Sequence, residues 1–255
     1  AHRLGLANPF FKSHDGVAGA TTVIDGRSCI NFSSYNYLGL VGHMAINKAA
    51  KDAIDRYGTS ASASRLVAGE RPIQRELEVA LAEFYEVDDC VVFVSGHATN
   101  VSTIGYLFGP KDLVIHDSLI HNSTLEGIRL AGSSRRSFPH NDLAALDGIL
   151  AEIRGQFERV LIVVEGLYSM DGDIPDLPGL IAIKQRHKAF LMVDEAHSLG
   201  VLGAMLARGT GLRGIADRLD AIDAEVQNVT ATQVAVTVPA GINARDDVPV
   251  VVTVE

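Results

Sequence analysis

Several short segments hold residue types that can act together on a charged, planar ligand. SGHATN (95–100) follows the apolar run CVVFV and opens a helical stretch. A strand-to-helix turn of this kind aims backbone N–H groups and the helix dipole at an anion. Gly96 allows close approach, and Ser95, Thr99 and Asn100 offer further donors. Taken alone, the segment also reads as a plain glycine turn. DEAHSLG (194–200) follows the apolar run FLMV. A carboxylate at such a strand end can lie under a ligand. Opposite a pyridine nitrogen it keeps the ring protonated, so that the ring can take up electrons from a carbanion. His197, three residues beyond Asp194, can reach an oxygen on that ring. The segment reads equally as a solvated strand end with a surface histidine. His121 in DSLIHNS sits at a helix start, where an imidazole can stack on a planar ring or simply pack. Ser169 and Asp171 lie in EGLYSMDGD, a loop able to offer a hydroxyl. Asn36 in YNYLGL and Ser64 and Arg65 in SASRLVAG are polar groups that also suit ordinary turns and surfaces.

These residues need a scaffold, and the hydrophobic periods supply one. Apolar spacing predicts helices over 43–57, 70–86, 97–108, 118–132, 141–155 and 177–188. Pro72 suits a first helical turn, and Asn141 or Asp142 suits a cap. Short β-branched runs predict strands at 90–94, 112–115, 159–166 and 189–194. Strands alternating with helices imply an α/β domain on a mostly parallel sheet. Ligands on such sheets sit at the carboxyl ends of the strands, where SGHATN, EGLYSMDGD and DEAHSLG fall. The last quarter breaks the rhythm. Residues 212–225 read as an amphipathic helix. TATQVAVTVPAG and DVPVVVTVE then alternate with period two around GINARDD, a β-hairpin signature. The expected divisions are an N-terminal segment (1–45), a ligand-binding domain (46–204) and a divergent tail (205–255).

Composition narrows the function. The 255 residues are 47% hydrophobic, enough for a sizeable core. Net charge is −9 with no long basic cluster, which argues against a nucleic-acid partner. No apolar run reaches the roughly 18–20 residues that span a bilayer, and the first residues lack the apolar stretch of a signal peptide. Two cysteines give no disulfide framework and fit a reducing cytoplasm. Metal chemistry has little support, because His116 and His121 are five apart and do not share a helix face. GTGLRG (209–214) matches a dinucleotide fingerprint, but no convincing strand precedes it. A nucleotide-binding oxidoreductase is therefore the weaker alternative.

Taken in order and with their gaps, YNYLGL, SASRLVAG, SGHATN, IHNS, EGLYSMDGD and VDEAHSLG resemble the α-oxoamine synthases over about residues 25–204. The resemblance implies a three-layer α/β fold, the large domain of a fold-type-I pyridoxal 5′-phosphate (PLP) enzyme, here incomplete. It implies PLP as cofactor, a homodimer, and condensation of a small amino acid with an acyl thioester. Position by position, it implies that Gly96 and His97 bind the PLP phosphate and that His121 stacks on the ring. Ser169 and His197 would contact the ring hydroxyl, Asp194 the pyridine nitrogen, and Asn36 would lie near the substrate. Catalytic roles thus fall on His121, Asp194 and His197.

The resemblance fails in two places. The family places a Schiff-base lysine after the VDEAHSLG segment, whereas residues 189–255 contain no lysine. The family's C-terminal domain is not recognisable either. A truncated or fused reading frame is the expected origin, and the chain as written is expected to be inactive. A non-catalytic PLP-binding or dimerising subunit is the alternative.

Overall fold

The computed structural model describes residues 10–85, 87–201 and 234–237. Contacts divide the chain into two compact units, Ala1–Thr59 and Ser60–Glu255.

The first unit holds a two-stranded antiparallel hairpin and a helix. β1 (Thr21–Ile24) pairs with β2 (Arg27–Ile30), with Ile24 opposite Arg27. Asp25 and Gly26 make the two-residue turn, with φ of 51° and 74°. Positive φ at both positions is what a tight hairpin demands, and Asp-Gly is among its favoured sequences. Helix α1 (Met44–Tyr57) occupies the span its periodicity predicts, with Ala49 buried.

The second unit carries the alternating elements. They are α2 (Pro72–Tyr85), β3 (Cys90–Phe93), α3 (Gly96–Leu107), β4 (Leu113–Asp117), α4 (Asn122–Ala131) and β5 (Ser134–Phe138). α5 (Leu143–Ile153), β6 (Val160–Glu165), α6 (Leu177–His187), β7 (Phe190–Asp194) and β8 (Val234–Thr237) follow. Strands β5-β4-β6-β7 form one parallel sheet in that order. The pleat sends alternate residues to opposite faces. Leu113, Ile115, Val160, Ile162, Val164, Leu191 and Val193 meet Leu146 and Leu150 of α5 and Leu180 and Ile183 of α6. Val114, Leu161, Val163 and Met192 meet Ile104 of α3 and Ile128 of α4 on the other face. The result is the expected three-layer α/β arrangement. Each of these aliphatic side chains contributes about 1.5–3 kcal/mol on burial.

Strand β5 (SRRSF) was not legible from periodicity. Its Arg135 and Arg136 are exposed, as charge on an edge strand should be. A further unforeseen turn is the π-helix Arg65–Gly69. A Cβ on Gly69 would lie 1.9 Å from the Ala63 carbonyl oxygen, so only glycine fits there. Beside it, Glu78 accepts a bond from the Val92 amide at 3.0 Å and from Arg65 Nη1 at 2.6 Å. Arg65 is thus a structural strut for β3 within its own unit.

β8 pairs antiparallel with β3, from Cys90↔Thr237 to Phe93↔Val234. Four residues of the first arm of the expected hairpin, Val234–Thr237, are therefore a strand. Its second arm, the 212–225 helix and GTGLRG lie outside the described residues. Among the described residues, no helix is long and apolar enough to cross a membrane.

Candidate functional site

The candidate residues gather around the carboxyl ends of the parallel strands. The site starts with two helices held unusually close. A Cβ on Gly127 of α4 would sit 2.9 Å from the Asn100 carbonyl oxygen and 2.9 Å from Ile104 Cβ, both on α3. Glycine at that crossing lets the two helix starts, and the histidines on them, approach. The rings of His97 and His121 stand edge to face, 6.4 Å between centroids.

Ser95 caps α3 by accepting from the Ala98 amide at 3.1 Å, and Thr99 Oγ1 donates to the Ser95 carbonyl at 3.0 Å. The Thr99 hydroxyl proton is therefore spent on the helix start, whereas Ser95 Oγ uses a lone pair there and keeps its own proton to donate. The amides of Gly96 and His97 are not spent in this way. Among the described residues they meet no protein acceptor, as expected of the first turn of a helix.

Asn100, expected as another donor to an anion, points elsewhere. Its Nδ2 donates to Asp194 Oδ2 and to Ser123 Oγ, both at 2.8 Å. Ser123 in turn lies 2.7 Å from His121 Nδ1, and the Ser123 amide also donates to that nitrogen. Having taken a bond from Asn100, the Ser123 hydroxyl is left to donate. His121 Nδ1 therefore accepts, which places the ring proton on Nε2. One chain of hydrogen bonds thus runs from Asp194 through Asn100 and Ser123 to His121. The other Asp194 oxygen accepts from the Ala196 amide at 3.1 Å. Asp194 is 5% exposed, so its carboxylate orientation is fixed from both sides.

Glu165, the last residue of β6, was not singled out from sequence. It lies opposite Asp194 in the β6–β7 register and is 2% exposed. Burial pushes its carboxyl up to about 7, and the Asp194 charge adds to the effect; the Ser169 amide, bonded at 3.1 Å, opposes it. Glu195 is likewise raised to about 7 by burial and by Asp194. The only sequence signal for Glu165 was its position as the final acid of an apolar strand. Gly166 follows it, and a Cβ there would meet Ser198 Oγ at 2.5 Å.

The structure therefore joins Gly96, His97, His121 and Asp194 in one neighbourhood and ties Ser169 to it through Glu165. His197 lies half-buried in the turn after β7. Asn36 belongs to the first unit. Its amide donates to the Ala18 carbonyl at 2.9 Å and its oxygen accepts from the Val41 amide at 3.1 Å.

A second polar corner was also missed. His140 Nδ1 lies 2.9 Å from Asp117 Oδ1, and its Nε2 lies 2.7 Å from Asp173 Oδ2. His140, Asp171 and Asp173 bring three potential ligand atoms within 4.8 Å. Both imidazole nitrogens already face carboxylates, however, and the Asn141 amide donates to the same Asp173 oxygen at 2.8 Å. The arrangement is one of donors filled by acceptors.

Comparison with known proteins decides the family. The aminotransferase class I and II family matches residues 27–235. The chain belongs to that family. Within it, a putative 8-amino-7-oxononanoate synthase of Gloeobacter violaceus is 42% identical over 202 residues, 79% of this chain and 52% of that protein. The 8-amino-7-oxononanoate synthase of Geobacter sulfurreducens is 45% identical over 188 residues, 74% of this chain and 48% of that protein. Among solved structures, Sphingomonas wittichii serine palmitoyltransferase aligns with a TM-score of 0.77 at 32% identity, over 88% of this chain and 54% of that one. A serine palmitoyltransferase solved with PLP aligns with a TM-score of 0.76 at 30% identity, over 88% and 55%. The chain spans about half the length of the curated relatives it matches. The resemblance to α-oxoamine synthases holds over that partial segment, and PLP is the cofactor of these relatives.

The residues present fit that cofactor. A first helical turn with two amides free of protein acceptors suits its phosphate. A buried, oriented carboxylate at a strand end suits its ring nitrogen.

Proposed function

We propose that this chain carries the cofactor pocket of a PLP-dependent α-oxoamine synthase, an acyltransferase that condenses a small amino acid with an acyl thioester on coenzyme A or a carrier protein. The observation that carries the reading is Asp194, buried at the end of β7 and held by Asn100 and the Ala196 amide. When bound, PLP supplies a pyridinium ring that accepts electrons. The chain's own residues do the remaining work. Asp194 keeps the proton on the ring nitrogen. The amides of Gly96 and His97 take the phosphate. His121, its tautomer set by Ser123, covers the ring, and Ser169 and His197 contact the ring hydroxyl. Asn36 is assigned to the amino-acid substrate. Homodimeric assembly, a cytoplasmic location and the three-part division at 45 and 204 belong to the same proposal.

The lysine chemistry has no candidate in the chain as it stands. Lys111 pairs with Glu158 at 2.8 Å just before β4. Lys188 closes α6 in the left-handed conformation, just before β7. Lys184 sits on α6 itself, and all three lie on the amino-terminal side of strands. A five-residue strand runs roughly 17 Å, and a lysine side chain reaches only roughly 6 Å. PLP held in this pocket would therefore have no lysine to carry the condensation. A non-catalytic PLP-binding or dimerising subunit is the second reading, and the same missing lysine favours it.

A PLP titration followed by visible absorbance tests the pocket. Asp194→Ala removes a charge-assisted bond and should weaken binding about 10- to 100-fold. Equal affinity in both proteins would sink the proposed pocket. Borohydride reduction and peptide mapping test the lysine. One stoichiometric adduct on a single lysine, with carbon dioxide released from an amino acid and a thioester, would show the chain to be a complete catalyst.

A further inference from the structure

The corner at Asp117, His140 and Asp173 has no part in the reading above, yet hydrogen bonds join three separate segments there. His140 follows β5, and its side chain is 23% exposed. Its two ring nitrogens face carboxylates from two different loops, Asp117 at the end of β4 and Asp173 in the loop after β6. A neutral imidazole offers one donor and one lone pair, so it satisfies only one of two carboxylates. With both acids ionised, carboxylates at 2.9 and 2.7 Å are both satisfied only when each nitrogen carries a proton. Asn141 repeats the bridge. Its backbone amide donates to Asp117 Oδ2 at 2.9 Å and its side chain to Asp173 Oδ2 at 2.8 Å, from a left-handed φ of 55°. The Tyr168 ring stands perpendicular to His140 at 4.5 Å.

The two loops are those that carry candidate cofactor contacts. Asp117 is four residues before His121, and Asp173 is four residues after Ser169. The second loop is closed on itself by Tyr168 N to Asp173 O at 3.0 Å and Gly172 N to Tyr168 O at 2.8 Å. Moving Asp173 therefore moves Tyr168 and, next to it, Ser169. We propose that His140 is a positioning residue: as an imidazolium between Asp117 and Asp173, it staples the loop that ends at His121 to the loop that carries Ser169. The link to cofactor binding rests on the proposed function; the staple itself does not.

The groups facing His140 are Asp117 from β4, Asp173 and Asp171 from the loop after β6, and the Tyr168 ring. Burial works against charge on His140, but the bonds to Asp117 and Asp173 outweigh it and raise the pKa above its ordinary value. The staple's contribution is therefore complete below about 6.5 and is lost as pH rises through the raised value. The Asp173 side of the staple is the one expected to open, because Asp117 is fully buried and also holds the Leu119 and Asn141 amides.

Nuclear magnetic resonance on the whole chain labelled with ¹⁵N tests this without any cofactor. His140 is assigned by comparison with His140→Gln. Its two ring nitrogens should stay protonated above about pH 6.5. Asp173→Asn, a milder change, should lower that midpoint. The amide signals of Tyr168 and Ser169 should move with the same midpoint, and that component should vanish in His140→Gln. PLP affinity in His140→Gln should fall about threefold to thirtyfold, the scale of couplings from residues that do not touch a ligand. A His140 that titrates at or below the ordinary value overturns the staple. So do Tyr168 and Ser169 signals that ignore it, or zinc binding that displaces the Nε2 proton. Failure of the unmodified chain to bind PLP, with the titration as expected, would count against the cofactor reading alone.

Discussion

At the amino ends of β4 and β6, the buried carboxylate of Asp112 meets a full set of donors. Arg159 Nη2 lies at 2.7 Å and Arg159 Nε at 3.2 Å, with the amides of Gly109 and Arg159 at 2.8 and 3.1 Å. At the carboxyl ends of the same strands, Asp117 and Glu165 are just as deeply buried. Among the described residues, no lysine or arginine bonds to either. They meet amides and, for Asp117, the His140 ring and, for Glu165, the neighbouring Asp194. One end of the sheet neutralises its acids where they stand; the other concentrates acids and leaves protons to balance them. The first is a design for stability. The second suits a site that must hold a protonated ring.

The largest expected effect lies at the neutralised end. Asp112→Ala removes four hydrogen bonds, two of them to backbone amides. Arg159 is nearly half exposed, so water screens much of its lost partner. The loss of buried bonds still predicts destabilisation of about 2–3 kcal/mol at neutral pH, measured by urea unfolding. A change below about 0.5 kcal/mol would mean that the amino end is not the fixed end.

Glu165→Gln should do the opposite. Glu165 has a folded pKa of about 7 against an ordinary value near 4.5, so the folded state binds more protons between those values. Stability therefore falls as pH rises from about 4.5 to about 7, and the penalty persists above. Glutamine keeps the shape without the charge. The variant should match the parent near pH 4.5 and exceed it by roughly 1–3 kcal/mol at pH 7.5. Glu195 leaves part of the slope in place. Denaturation at the two pH values checks this, and a parallel pH dependence in both proteins would refute the claim for Glu165.

The contrast between the two ends explains what the sequence made legible. The buried strands β4, β6 and β7 stand out as apolar runs because both faces are covered. The candidate site is read from where these runs and β3 stop: Asp194 at the end of β7, His121 after β4 and Gly96 after β3. Edge strand β5 is polar because one edge meets water, so it carries no apolar signal. The Asp-Gly turn of β1–β2 was a usable signal that its surroundings obscured, since both strands are largely exposed. Residues that work by joining elements distant in sequence left no pattern at all. Asn100 and Asp194 are 94 positions apart, and His140 and Asp173 are 33 apart. Glu165 reads as one more strand residue until the sheet register sets Asp194 beside it.

The smallest effect separates a structural helix start from a binding one. Ser95 caps α3 through the Ala98 amide, and Asp142 caps α5 through the Ala145 amide at 2.9 Å. Both bonds satisfy a donor that the helix itself leaves unpaired, and losing either should cost about 1 kcal/mol. The two helices differ in what else uses their first turn. The Gly96 and His97 amides of α3 meet no acceptor among the described residues, and the proposed phosphate contact depends on that turn staying wound. Fraying it spreads these amides and weakens the pull of the helix end on an anion. Nothing comparable is proposed for α5. Ser95→Ala and Asp142→Ala should therefore lower stability by similar amounts in thermal unfolding, while only Ser95→Ala weakens PLP binding, by about threefold to tenfold. Equal loss of affinity in both variants would show that binding follows global stability. It would also remove the first turn of α3 from the site.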